Sequence, residues 1–105
     1  SRSFLYVDDF ARGLIEVAAR YAKADPINIG ANEETTIKEL AHIVCEKVSD
    51  VTEKRLEPVF DESGITGQPR RKCDTSKLEK ELQFTTKVSF DEGMRNTIEW
   101  YKNTL

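Results

Sequence analysis

Apolar residues return at helical spacing in four stretches of the chain, and shorter apolar runs lie between them. The first helical stretch follows Asp8 and Asp9, which supply a cap and early negative charge. Phe10, Leu14, Val17, Ala18 and Tyr21 then fall on one face at the 3.6-residue period. Asp25-Pro26 ends this segment, because the residue before proline is pushed out of the α region. Thr36-Ile37-Lys38-Glu39 is a capping box, and Ile37, Leu40, Ala41, Val44 and Val48 form the stripe behind it. A third helix of two to three turns starts at Thr75, carries Leu78 and Leu82, and closes near Phe84. The last follows a second capping box, Ser89-Phe90-Asp91-Glu92, and presents Phe90, Met94, Thr97, Ile98 and Tyr101, with Trp100 beside them. Residues 3–7, 27–30 and 55–60 read as short strands, the last placed at an edge by Pro58. The order is strand, helix, strand, helix, strand, helix, helix. It predicts a small, helix-rich α/β assembly in one domain over residues 1–105, with strands too few for a complete sheet.

One stretch stands apart from these patterns. Gly67-Gln68-Pro69 marks a loop, and Arg70-Arg71-Lys72 puts three cations in a row before the helix start at Asp74-Thr75-Ser76. Guanidinium groups beside a helix start suit a phosphate-bearing ligand. A solvated cationic loop is the plainer reading, and composition alone favours it. Arg2, at the far end of the chain, is a second cation that such a ligand could recruit.

Charge and composition narrow the classes. With 105 residues and 33% charged positions the chain is globular and on the polar side. A net charge of −3 argues against a general nucleic-acid binder, so Arg70 to Lys72 form a local patch fit for one small anion. No apolar run approaches the ~20 residues of a membrane span. Cys45 and Cys73 make no spaced metal set and are expected as reduced thiols, and His42 is a lone histidine off the apolar stripe, so no metal site is expected. No signal peptide or N-x-S/T acceptor is present, which fits a cytoplasmic protein. The chain opens on Ser1-Arg2-Ser3-Phe4 without methionine, which reads as a piece of a longer polypeptide.

Catalytic signatures are missing. The sequence has no G-x-G-x-x-G after a strand, no Walker-type loop, no G-x-S-x-G turn and no Tyr followed four residues later by Lys. The acid pairs Asp8-Asp9, Glu33-Glu34 and Asp91-Glu92 sit where helix N-termini recruit acids, and are read as structural. No catalytic or cofactor-binding residue is expected within the chain.

Taken together, four segments resemble the extended short-chain dehydrogenase/reductases, the NAD-dependent epimerase/dehydratase family. Arg2-Ser3-Phe4-Leu5-Tyr6-Val7-Asp8-Asp9 resembles their R-x-F-x-[YH]-V-D-D stretch. Asn28-Ile29-Gly30 with Thr36-Ile37-Lys38-Glu39-Leu40-Ala41 resembles N-I-G…T-I-x-E-L-A. Gly67-Gln68-Pro69-Arg70-Arg71 through Asp74-Thr75-Ser76-Lys77 resembles G-x-P-R-[RK]-x-x-D-x-S, closest to the GDP-fucose synthase branch. Glu92 to Tyr101 resembles the closing E-G-[LM]-x-x-T-[IY]-x-W-Y helix. Two departures stand out: Thr66 replaces an acid common in that branch, and Gln83 replaces a glycine suited to a positive-φ C-cap.

The resemblance implies the helix-rich C-terminal, substrate-binding subdomain of such an enzyme, lacking the Rossmann sheet that holds NAD or NADP. The partners it implies are a nucleoside-diphosphate sugar and the missing Rossmann domain. The reaction of the nearest branch is epimerisation and reduction of GDP-4-keto-6-deoxymannose, an isomerase and oxidoreductase activity together. Arg2 and Arg71 carry over as contacts to the nucleotide sugar, with Arg70 beside them. An epimerase, dehydratase or decarboxylase of a UDP or dTDP sugar is the alternative within the family. A non-catalytic binding module on the same scaffold is the alternative outside it, and upstream G-x-x-G-x-x-G and Tyr-x-x-x-Lys motifs would exclude it. Without a sheet to cover them, Phe4, Ile29 and Phe60 are expected to be partly exposed, and patches of that kind favour self-association. A homo-oligomer is therefore expected in solution; a monomeric mass independent of concentration in light scattering overturns this.

Overall fold

A computed structural model describes residues 1–65 and 67–105, so the departure at Thr66 lies outside the described residues. Four helices follow in order: α1 (Val7–Arg20), α2 (Ile37–Thr52), α3 (Ser76–Leu82) and α4 (Phe90–Thr104). They pack in two pairs, α1 with α3 and α2 with α4. The three expected strands do not form among the described residues. Residues 27–30 run extended against the core, and β pairing is limited to one antiparallel bridge between Arg2 and Thr35. A strand needs a hydrogen-bonded neighbour on at least one edge, and these segments have none to extend the ladder.

Local signals set the helix ends. The Thr36 hydroxyl accepts from the Glu39 amide at 3.1 Å, and the Glu39 carboxylate accepts from the Thr36 amide at 3.0 Å, completing the capping box of α2. At α4 the Ser89 hydroxyl accepts from the Glu92 amide at 3.2 Å. Helix α1 stops at Arg20, short of Pro26, where Tyr21 leaves helical geometry. Gln83 closes α3 at φ 50°, the left-handed conformation for which glycine is suited, and Glu53 closes α2 at φ 59°.

The core is small. Leu78 is 1% exposed and is joined by Leu82, Phe84 and Tyr21, with Val17, Ile27 and Ile29 packed against them. The face α1 turns inward differs from the one its apolar residues predict. Asp9, Gly13 and Tyr21, four or eight residues apart, are buried with Val17 between them, while Phe10 and Leu14 stay exposed. Gly13 is required there, since a methyl group on it would lie 2.7 Å from Ile29 Cγ2. Asp9 is 2% exposed and accepts from the amides of Lys87, at 3.1 Å, and Val88, at 3.0 Å, and from the Arg12 guanidinium. Arg12 also donates to the Thr85 carbonyl and lies 4.0 Å over the Phe84 ring. Burial pushes the Asp9 carboxyl up, but the two amides and Arg12 outweigh it and hold it below the usual carboxylate range. Lys47 of α2, itself buried, pairs with Asp91 of α4 at 2.8 Å.

The molecule measures 48 × 33 × 19 Å with a radius of gyration of 16.5 Å. A self-contained domain of this length has a radius of about 13 Å. The excess shows as apolar surface: Phe4, Phe60 and Trp100 are all exposed, Trp100 at 65%. Among the described residues no helix is long and apolar enough to cross a membrane.

Asp9→Asn is expected to cost about 2–3 kcal/mol, because it removes the charge that three donors address. The folded-state pKa of Asp9 is depressed, so its contribution is present above the unfolded value and lost as pH falls below about 4. The variant should therefore show a shallower acid limb in denaturation curves across that window. Glu53→Gly relieves a left-handed residue and is expected to raise stability by about 0.5–1 kcal/mol by the same measurement.

Candidate functional site

Three segments distant in sequence meet at the N-terminal residues. The backbone of Arg2 bonds Thr35 in both directions, at 2.9 and 2.8 Å. On its other side, the Ser1 nitrogen donates to the Pro69 carbonyl, and the Arg71 amide donates to the Ser1 carbonyl at 3.0 Å. Residues 1–2 thus lie as a splint between residues 34–35 and 69–71.

The three arginines singled out from the sequence all reach this junction, in different roles. Arg2 Nη1 donates to the Ser1 carbonyl at 2.8 Å and to the Gln68 carbonyl at 2.9 Å. The Ser1 carbonyl therefore receives both the Arg2 guanidinium and the Arg71 amide. Arg2 Nε and Nη2 have no hydrogen-bond partner among the described residues. The Arg71 side chain is exposed, and no carboxylate among the described residues lies within ion-pair distance of it. Arg70 is committed elsewhere: its Nε lies 2.9 and 3.0 Å from the two Glu34 oxygens, and its Nη2 meets Oε1 as well. Lys72 Nζ approaches the same carboxylate at 4.0 Å, and Ser1 Oγ donates to it at 3.1 Å. Arg70 first, then Ser1 and Lys72, hold the Glu34 carboxyl below its ordinary range.

Glu34 was not picked out by sequence reasoning, which grouped it with Glu33 as helix N-terminal acid. It stands two residues before the Thr36 cap, outside the first turn where the helix dipole acts. That offset was the available signal.

Local chemistry fixes the loop behind Arg71. Asp74 Oδ1 accepts from the Ser76 amide at 3.0 Å and the Ser76 hydroxyl at 2.7 Å, turning the chain into α3. Gly30 lies so close to Cys73 that an added methyl would sit 2.8 Å from Sγ, so residues 27–30 and 73–75 run in direct contact. Beside the loop an open concavity of about 540 Å³ is lined by Arg70, Lys72, Asn32, Ser76 and Glu79, among others. A larger apolar groove of about 710 Å³ runs between residues 4–8 and α4, with Phe4, Tyr6, Phe90, Met94 and Trp100 in its walls.

The remaining candidates carry no chemistry of their own. His42 is exposed with its ring 6.0 Å from Phe60, and both cysteines are free thiols. Among the described residues no His, Cys, Asp or Glu cluster could hold a metal ion. The arrangement can bind and orient an anion through guanidinium and amide donors.

Comparison with known proteins agrees with this reading of the fold. No family model matches the chain. It is 40% identical over 100 residues to GDP-L-fucose synthase 1 of Arabidopsis thaliana, covering 95% of this chain and 29% of that protein. It is 31% identical over 105 residues to the UDP-N-acetyl-alpha-D-glucosaminuronate decarboxylase of Bacillus cytotoxicus, covering 97% of this chain and 32% of that one. Among solved structures, the Bordetella bronchiseptica enzyme WbmF in complex with NAD+ and UDP superposes with a TM-score of 0.74 at 37% identity, over 98% of this chain and 30% of that one. The UDP-glucuronic acid 4-epimerase of Bacillus cereus in complex with NAD shares the fold, with a TM-score of 0.72 at 24% identity. The chain thus spans about a third or less of the length of the relatives it matches. By sequence and by fold, nearly the whole of this chain is thus similar to one part of enzymes of the extended short-chain dehydrogenase/reductase family.

Proposed function

We propose that this chain is the C-terminal, substrate-binding part of an NAD(P)-dependent nucleotide-sugar epimerase/reductase, and that it grips the diphosphate of the substrate through Arg71 and Arg2. The observation that carries this reading is that the Arg2 guanidinium and the Arg71 backbone amide both donate to the Ser1 carbonyl, which brings two arginines distant in sequence to one place. A diphosphate bears at least two negative charges, and a planar guanidinium meets phosphate oxygens with two parallel N–H donors, as an ammonium cannot. Arg71 brings a guanidinium with no ion-pair partner among the described residues, and Arg2 brings donors already fixed by its bonds to Ser1 and Gln68. Fixing one donor in advance lowers the entropy lost when the ligand binds.

The substrate class follows the relatives. Identity to a GDP-L-fucose synthase supports a GDP-fucose synthase-like reaction, in which GDP-4-keto-6-deoxymannose is epimerised and reduced. A UDP sugar is the second reading, supported by the UDP bound to the similar Bordetella enzyme and by the decarboxylase relative. The residues of this chain do not fit the family's dinucleotide cofactor: there is no Gly-rich turn from strand to helix, and no described glycine takes a positive φ. What the chain contributes to the reaction is orientation of the sugar by its diphosphate handle.

Calorimetric titration of the chain with GDP, UDP and dTDP tests the assignment. Saturable binding to one of the three is expected, weakened about tenfold or more in Arg71→Ala and in Arg2→Ala, the loss that follows from removing a charge-assisted hydrogen bond. Equal affinity in wild type and both variants overturns the clamp. Absence of heat with all three nucleotides overturns the assignment of the grip to this chain.

A further inference from the structure

An acid at the centre of an anion site opposes the ligand unless it has another task. Glu34 is in that position. Its carboxylate sits among Arg70, Lys72 and Ser1, one residue from the Thr35 that pairs with Arg2. By Coulomb's law it subtracts from whatever attraction the cationic loop has for a phosphate. The contacts indicate what it does instead.

Glu34 takes Arg70 by the side of its guanidinium, with Nε and Nη2 both engaged. Lys72, two residues on, turns to the same carboxylate. Arg71, between them, makes no ion pair with Glu34. Pinning residues 70 and 72 to Glu34 therefore leaves the exposed Arg71 guanidinium as the cation of this run that the acid does not engage. Glu34 also bonds Ser1, whose carbonyl receives the Arg71 amide, so both ends of the Arg71 environment are tied to one side chain.

We propose that Glu34 is a positioning residue: it neutralises and anchors Arg70, so that Arg71, and not Arg70, is delivered to the diphosphate. This rests on the reading that the loop grips a nucleoside diphosphate. Arg70 is on this account part of the loop's anchorage and does not touch the ligand.

The sign of one substitution separates this from simple electrostatics. Glu34→Gln makes the site more positive, which by charge alone tightens nucleotide binding. Loss of positioning instead weakens it, by roughly three- to tenfold for a paired, partly exposed ion pair. Arg70→Ala should weaken binding to the same degree, and the double variant should be no worse than either single one. Glu34→Asp, which keeps the charge, should recover part of the affinity. Tighter or unchanged binding in Glu34→Gln, alongside weakening in Arg71→Ala, overturns the positioning role and leaves the diphosphate grip intact. No effect of Arg71→Ala overturns the grip. A second measurement needs no ligand: hydrogen exchange of the Arg71 amide should accelerate by roughly three- to tenfold in Glu34→Gln, as its bond to the Ser1 carbonyl loosens. Unchanged protection of that amide overturns the proposal whether or not nucleotide binds.

Discussion

A single buried carboxylate decides how the two halves of this fold meet. Asp9 lies on the inward face of α1 and takes up the amides of Lys87 and Val88, the residues that lead into α4. Those amides belong to an irregular segment with no ladder to satisfy them, and unpaired buried donors are costly. Arg12 closes the arrangement by pairing with Asp9 and covering Phe84, which ties the same segment to the hydrophobic core. Through this contact the α1–α3 pair, with its core of Leu78, Leu82 and Tyr21, is linked to the α2–α4 pair. With no sheet to impose order, ionic and capping contacts take a larger share of the work. The Lys47–Asp91 pair between α2 and α4 is the second case.

What could be read from the sequence was mostly local. The capping box at Thr36 and Glu39 satisfies itself within one turn, so its residues announce the helix start without any tertiary information. Gln83 is similar: where the resembled motif expects a glycine C-cap, the backbone takes positive φ, because it must leave the helix by that route. The strands were not legible, because an apolar run defines a strand only when another segment pairs with it. The inward face of α1 was hidden for a different reason. An acid and a glycine lie on it, and both are chosen for hydrogen bonding and close approach, which hydrophobic periodicity does not register. Among site residues, the arginines stood out as a cluster and as motif positions. Glu34, 36 residues from Arg70 in the chain, acquires its meaning only when the fold brings the two together.

The similarity to nucleotide-sugar enzymes extends over nearly all of this chain but under a third of each relative. That proportion agrees with the physical character of the molecule. The plate is only 19 Å thick, its core is a handful of side chains, and the groove between residues 4–8 and α4 is apolar. A structure of this shape supplies contacts and orientation more readily than an enclosed reaction chamber. The arginine junction lies on the segment that holds residues 67–72 in place, so the proposed ligand contacts and the loop anchorage draw on the same few groups.

The Ser1 junction also bears on the order in which this chain folds. Its hydrogen bonds close loops of 33 to 70 residues, far longer than the single turns that nucleate the helices. Closing such loops costs entropy that only accumulated tertiary contacts can offset, so the junction belongs to the late steps of folding. No short stretch of this protein, however rich in arginine, can hold the arrangement while the rest is unfolded. The proposed anion site thereby reports the folded state, assembled only when residues 1–2 have met residues 67–71.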